Sequence, residues 1–382
     1  MNVYSWAEPA LSSALFGSDP NTAIDGLTLH ITSGVHNGVY SGKAMAEARD
    51  AHDDVFVSYA AGFLSDRIGD LVNLDPYVAA NSYRSEFYNR LLDRFRTDGH
   101  LYYLPLSLKP QAVFYNRDLF AARGLAEPKP DWTWDDFVGI AKRLSATRNG
   151  QRVFGAVARP VLWMYMALGA GDPLTLDDKT YRRVLELQKR MRDEVILYTG
   201  KSNWQLLRNG RSGMSVGPQF NTGWVDGTAD SVPNLGVLPV PRLDADHAAE
   251  TFAGIVSIAI LGTSRQPELA WRTVRQLTGS AVAATIAQAG WLPANLTPDV
   301  AQAWLGYWHA RRQGIHGLQN LLDIQPVLVP QNELETWWAQ IGSIGNRYLA
   351  GRMSLNLALS QIGSVKQKLL EDRRASQADQ GP

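Results

Sequence analysis

The sequence predicts an α/β protein, a mainly parallel sheet with helices on both faces. Strand-like and helix-like segments alternate along the first half of the chain, the pattern that winds a sheet through crossover helices. Asp54-Val55-Phe56-Val57 is a short apolar run of the kind carried by a strand buried on both faces. No internal repeat and no low-complexity linker interrupts the 382 residues. Ligands of such sheets sit beyond the carboxyl ends of the strands, so the residues just after each strand are the first candidates for a site.

In chain order, Leu27–Thr32 alternates as a strand, Ser41–Ala51 has helix-forming composition, and a second helix is expected from Ser82 through Arg96. Thr133-Trp134-Asp135-Asp136 starts a helix to about Leu144, with Thr133 as N-cap and acids in the first turn. Asp177-Asp178-Lys179 opens another through Arg192. Arg208–Gly213 is a turn and Met214–Val216 a strand. Phe252–Leu261, apolar and rich in β-branched residues, reads as a buried strand, and Pro267–Leu277 as a helix with proline in its first turn. The polar residues 371–382 are expected to form a frayed, flexible tail.

Composition removes several function classes. Hydrophobic residues make up 45% and charged residues 19%, enough apolar content for a large core and too much for disorder. With 37 basic and 37 acidic residues the formal charge is zero, without the basic footprint of a nucleic-acid binder. There is no cysteine, so disulfides, thiolate metal sites and cysteine nucleophiles are absent. No run of about 18 apolar residues predicts a membrane span. The opening Met1-Asn2-Val3-Tyr4-Ser5-Trp6 lacks the basic-then-apolar layout of an export signal. The expectation is either a cytoplasmic protein or a mature form whose signal has been removed.

Three segments are distinctive together: Gly99-His100-Leu101-Tyr102-Tyr103-Leu104-Pro105, then Tyr115-Asn116-Arg117-Asp118-Leu119-Phe120, then Thr133-Trp134-Asp135-Asp136-Phe137. Further matches are Gly69–Tyr77, Leu207–Met214, Phe252–Leu261, Pro267–Trp271 and Gly290-Trp291-Leu292-Pro293-Ala294-Asn295. In order and spacing the chain resembles extracellular solute-binding proteins of family 1, the maltose-binding-protein-like sugar receptors of ABC importers. The resemblance implies a two-lobed, type II periplasmic-binding-protein fold, each lobe a mainly parallel sheet flanked by helices. It implies an N-terminal lobe of 1–110 with 261–310 and a C-terminal lobe of 111–260 with 311–370. The three hinge crossings are placed near Leu106–Ala112, Ser257–Gly262 and Ala310–Leu318. It further implies export to the periplasm or the cell surface, with a lipid anchor left open, a sugar ligand, permease subunits as partners, a monomer and no cofactor.

A sugar presents C–H faces on which aromatic rings stack and a rim of hydroxyls for directional hydrogen bonds. Twelve tryptophans fit such a ligand, although most tryptophans of a folded protein lie in its core. Candidate contacts are those that follow strand ends: Trp6 and Glu8; Ser58 and Tyr59; Trp163 and Tyr165, expected in the loop after Val153–Ala158; and Gln219, Phe220, Asn221 and Trp224. Phe252 at the second crossing, Trp291, and Gln325 near the third complete the set, with Lys109 and Arg159 as cations that would suit an acidic or sulfonated sugar.

Some of the residues also suggest rival chemistry. Gly213-Met214-Ser215-Val216-Gly217 matches the nucleophile elbow of hydrolases, with Asp226 and His247 following in the right order. The elbow requires serine on a sharp strand-to-helix turn, whereas Met214–Val216 reads as strand. A glycosidase needs two carboxylates flanking the scissile bond, and no segment singles out a pair. The seven histidines show no His-Glu-x-x-His spacing. A hydrolase acting through Ser215 or a carboxylate pair, and a sugar sensor for a signalling partner, stand as the alternatives.

Overall fold

The computed structural model describes residues 1–6, 9–17, 21–24, 27–33, 41–59, 68–80, 89–97, 99–148, 150–159, 162–198, 203–218, 234–247, 250–311, 315–322, 325–327 and 331–379. The strands are β1 (Asn2–Trp6), β2 (Asn21–Ile24), β3 (Leu27–Ser33), β4 (Val55–Tyr59), β5 (Tyr103–Asn116), β6 (Ala146–Arg148) and β7 (Gln151–Ala158). They continue as β8 (Ile196–Tyr198), β9 (Ser212–Pro218), β10 (Leu235–Pro239), β11 (Glu250–Ile260), β12 (Leu292–Pro293), β13 (Ile315–His316) and β14 (Gln325–Val327).

Their order along the main path is β2-β3-β1-β4-β11-β5-β9-β7-β6. β5 holds the two ends of that path together. All fourteen of its residues are buried, so each backbone amide and carbonyl needs a partner in the ladder. Its first half, Tyr103–Pro110, pairs with β11, and its second half pairs with β9 and β10. β11 makes the same exchange. Glu250–Phe252 pair with β14, and the residues from Ala253 onward pair with β5 and β4. This exchange falls at Phe252–Ala253.

The sheet joins two parallel ladders through antiparallel neighbours. β3, β1 and β4 form one parallel ladder and β8, β7 and β9 another. β11 enters the first ladder from the opposite end, so it runs antiparallel to β4, and β5 runs antiparallel to β11 and to β9.

Two apolar clusters flank the shared strands. One gathers Val3, Phe56, Val57, Ile258, Trp271, Trp304 and Trp308, and the other Val113, Trp134, Phe137, Trp163, Tyr181, Met214 and Trp337. Each fully buried tryptophan removes 150–250 Å² from water, about 4–6 kcal/mol of gross stabilisation.

Helix starts follow the local chemistry of the sequence. Thr133 closes a capping box with Asp136 ahead of Trp134–Leu144, and Asp177 accepts from the Thr180 amide at 2.7 Å ahead of Asp178–Glu194. Of the helix expected over Ser82–Arg96, the described part is Asn89–Arg94. The tail differs from expectation. The last helix runs Leu355–Asp379, because Ile362 and Leu369 are buried in the second cluster and Arg373 bonds Asp172 at 2.9 Å.

One buried acid stands out in the turn before β4. Asp53 is 3% exposed, its Oδ2 has no hydrogen-bond donor, and Asp54 follows it. Asp54 itself is satisfied, accepting from the Asn2 amide at 3.1 Å and from Ser264 Oγ at 2.7 Å. Burial, and then the charge of Asp54, push the Asp53 carboxyl from 3.8 up to about 6. The folded state therefore prefers neutral Asp53. That contribution is complete below the ordinary carboxylate pKa and is lost as pH rises through about 6. Asp53→Asn should raise the melting temperature relative to the wild type at pH 7 and lose that advantage as pH falls to 4, read by calorimetry across the range. A difference that does not change with pH would contradict this account.

Candidate functional site

The motifs that are most distinctive in the sequence build scaffold. Asn116 Oδ1 caps the helix Arg117–Ala122 by accepting from the Leu119 amide at 3.0 Å, while the Tyr115 and Phe120 rings pack at 5.0 Å. The Tyr115 hydroxyl donates to Glu127 at 2.7 Å, and Arg117 Nε donates to the other oxygen of the same carboxylate at 2.7 Å. The bond from Arg117 holds Glu127 below the usual carboxylate range. In the Thr133–Phe137 segment, Trp134 and Phe137 meet edge to face and Asp135 receives Arg183 and Arg190. In the Gly99–Pro105 segment, Asp75 accepts from Arg96 at 2.8 Å and meets His100 Nδ1 at 2.8 Å. Burial raises Asp75, but these two bonds outweigh it and the carboxyl titrates low.

A different set of residues converges where β5 and β11 cross. Lys109, 6% exposed, pairs in register with Gly254, and its Nζ lies 4.7 Å from the centroid of the Trp291 ring. An ammonium over an indole face is worth about 0.5–2 kcal/mol. Trp291 is held there by its flanks. Ser107 Oγ donates to the Leu292 carbonyl at 2.9 Å, and the Ala294 amide donates to the Leu106 carbonyl at 3.0 Å. Gly290 precedes it at φ +87°, and a Cβ there would come within 2.4 Å of the Tyr307 ring, so the turn admits only glycine.

Residues paired across strands share a side of the sheet. Register therefore sets Tyr59, Val256, Ser107, Gly254 and Lys109 in one row, with Phe252 and the β14 position Gln325 further along it. Trp6, Ser58 and Ser257 form a second row on the opposite side, because successive residues of a strand alternate faces. For Trp6, Tyr59, Phe252 and Gln325 the backbone alone is described, and Glu8, Gln219, Phe220, Asn221 and Trp224 lie outside the described residues.

Three residues at the crossing were not anticipated: Ser107, Gln111 and Ser257, all buried. Ser107-x-Lys109-x-Gln111 places a polar side chain at every second position of an otherwise apolar strand. That period-two signal is visible in the sequence. The side-chain atoms Gln111 Oε1, Ser257 Oγ and Trp291 Nε1 are buried without a hydrogen-bond partner.

The other aromatic candidates have a different setting. Trp163 and Tyr165 stand on the helix Leu162–Leu168 rather than in a loop, because Leu162, Met164, Met166 and Leu168 bury into the second core. Trp163 is fully buried. Its Nε1 donates to Asn346 Oδ1 at 3.2 Å, its ring lies 6.2 Å from that of Trp337, and a Cβ on Gly345 would reach to 2.4 Å from it. Tyr165 is half-buried with its ring 5.7 Å from Trp338. Burial raises its hydroxyl, and a bond from the exposed Arg159 opposes that rise.

Among the described residues eight tryptophans are buried: Trp132, Trp134, Trp163, Trp271, Trp291, Trp304, Trp308 and Trp337. Their number is in large part a property of the core. Ser215 is 1% exposed in the middle of β9, paired with Phe114 and Val157, so it occupies no strand-to-helix elbow. His247 bonds Asp244 at 2.6 Å.

The model of the family described as bacterial extracellular solute-binding protein matches residues 31–284, about two thirds of the chain. The chain belongs to this family. Among curated relatives of this solute-binding protein, a putative binding protein of Brucella abortus is 25% identical over 246 residues, covering 58% of this chain and 57% of the relative. The match thus spans little more than half the length of that relative. Among solved structures, a sugar transporter of Rhizobium etli in an open conformation superposes with a TM-score of 0.77 at 17% identity, covering 96% of this chain and 99% of that one. The sugar-binding protein MalE of Xanthomonas citri gives 0.71 at 18% identity, with 98% of each chain covered. A substrate-binding protein of Listeria monocytogenes in complex with cycloalternan gives 0.70 at 18%, covering 97% and 98%. These likenesses establish the shared fold.

The two settings of tryptophan are separable by stability. Trp163→Ala should lower unfolding free energy by about 3–5 kcal/mol in urea titration, as expected for emptying a core site. Arg159→Ala should stay within about 0.5 kcal/mol of the wild type. Equal effects of the two substitutions would contradict the core placement of Trp163.

Proposed function

We propose that this protein is the extracytoplasmic receptor of an ABC importer, which captures a mono- or oligosaccharide between two lobes by hinge closure and delivers it to a membrane permease. The observation that carries the reading is the crossing of β5 and β11. β5 exchanges partners midway and β11 near its start, under a row that combines an aromatic ring, a cation and unpaired polar atoms. A site with an apolar floor and a few convergent polar groups is the form small-molecule clefts take.

The lobes of this reading are residues 1–110 with 261–310, and 111–260 with 311–370. The second apolar cluster, drawn from Val113–Leu243 and Trp337–Leu369, supports the C-terminal lobe of that division. Strands that pass between lobes act as hinges, absorbing closure in a few residues. The contacts proposed for the sugar are Trp6, Glu8, Ser58, Tyr59, Lys109, Arg159, Tyr165, Gln219, Phe220, Asn221, Trp224, Phe252, Trp291 and Gln325. Trp163 supports the wall from within the core. Sugars named with similar folds favour the ligand class: cycloalternan with the Listeria protein, α-D-tagatose with a Thermotoga lettingae protein and maltotriose with a Bdellovibrio bacteriovorus protein. The receptor works as a monomer without chemistry of its own, in the periplasm or at the cell surface.

Saturable sugar binding is the expected result of a thermal-shift screen with tagatose, glucose, maltose, maltotriose, cycloalternan and glucuronate. Ligand at 100 times its Kd stabilises by about 2.7 kcal/mol, a readily visible shift. Shifts confined to peptides or polyamines would overturn the sugar class, and product formation on prolonged incubation would favour a hydrolase.

A further inference from the structure

Gln111 belongs to no scaffold motif, yet its side chain is 4% exposed and its Oε1 accepts no hydrogen bond. Leaving a buried acceptor unpaired costs about 1–3 kcal/mol. The backbone around it is fixed, since Thr251 Oγ1 donates to the Gln111 carbonyl at 3.2 Å and Gln111 pairs in register with Pro218. Two residues along β5, on the same side of the strand, Lys109 covers Trp291, whose Nε1–H is buried and without an acceptor. The crossing thus holds an unpaired acceptor two residues along the strand from Lys109 and an unpaired donor on the ring that Lys109 covers. A hydroxyl is donor and acceptor at once, so neighbouring hydroxyls of one ring answer both groups.

We propose that Gln111 Oε1 and Trp291 Nε1 are specificity-determining groups that read two hydroxyls of the bound sugar at the base of the cleft. This assignment rests on the receptor reading above. Gln111 accepts from one hydroxyl, Trp291 donates to another, and Lys109 fixes the indole plane between them. Recognition of this kind penalises sugars that lack a hydroxyl more than sugars that are merely smaller. A deoxy analogue leaves a protein group buried and unpaired, whereas a lost methylene leaves only space.

The test uses the full chain, isothermal titration, and the tightest sugar among tagatose, glucose, maltose and maltotriose together with its monodeoxy derivatives. Gln111→Met keeps the volume of the side chain and removes the acceptor; Trp291→Phe keeps a ring and removes the donor. Each is expected to weaken binding about tenfold, the effect of one hydrogen bond, while the sugar-free melting temperature of Gln111→Met stays level or rises. One monodeoxy derivative should bind the wild type about tenfold more weakly than the parent sugar and bind Gln111→Met no more weakly than the parent does, because sugar hydroxyl and glutamine are then coupled. Equal affinity of wild type and Gln111→Met for every sugar overturns the assignment while leaving the receptor reading intact. A lowered sugar-free melting temperature with unchanged deoxy discrimination also overturns it and makes Gln111 structural. Absence of saturable sugar binding by the wild type overturns both.

Discussion

Everything in this molecule depends on the requirement that a buried strand keep its backbone hydrogen bonds. β5 is buried along its whole length, so as it passes from one set of strands to the other it cannot leave an amide without a partner. It meets this by trading β11 for β9 and β10 midway, and β11 trades β14 for β5 and β4. The two strands are therefore shared between both halves of the sheet. The residues at the exchange, Ser107, Lys109, Gln111 and Gly254, are placed by the ladder and not by a loop. A site built there inherits the precision of the sheet.

The neighbouring segments serve that geometry. β12 is held against β5 by the Ser107 hydroxyl and by the Ala294 amide, which brings Trp291 under Lys109. The Tyr115–Glu127–Arg117 network and the Asn116 cap secure the point where β5 turns into its following helix. The Asp75–Arg96–His100 cluster secures the approach to its start. Motif residues cluster at the two ends of β5, and the polar residues at its middle do the recognising in the proposed function.

This division explains what was legible in the sequence. Helix starts at Thr133, Asp177 and Pro267 were readable because capping and proline placement are local chemistry, and they recur in the structure. Strand direction was not, since whether β11 runs with or against β4 is fixed by the route of the chain through space. The sequence predicts a loop at Trp163, where the structure has a helix, because a short apolar run after a strand looks the same whether it ends the strand or opens a buried helix. The helical tail was missed for a related reason: the contact between Arg373 and Asp172 joins residues far apart in sequence. At the site, Lys109 and Trp291 were singled out separately, and only the fold shows that they touch. Gln111 and Ser107 carried a period-two signal that the surrounding apolar residues obscured.

The burial of eight tryptophans has a spectroscopic consequence. Those eight rings are sealed in two cores, so the wavelength of their emission reports whether the cores are closed to water. Unfolding should move that emission strongly. Occupancy of a cleft changes the surroundings of few of those rings, and a binding signal rides on a large constant background. Trp291 is a buried indole with an ammonium against its face, so its emission is tied to the charge beside it.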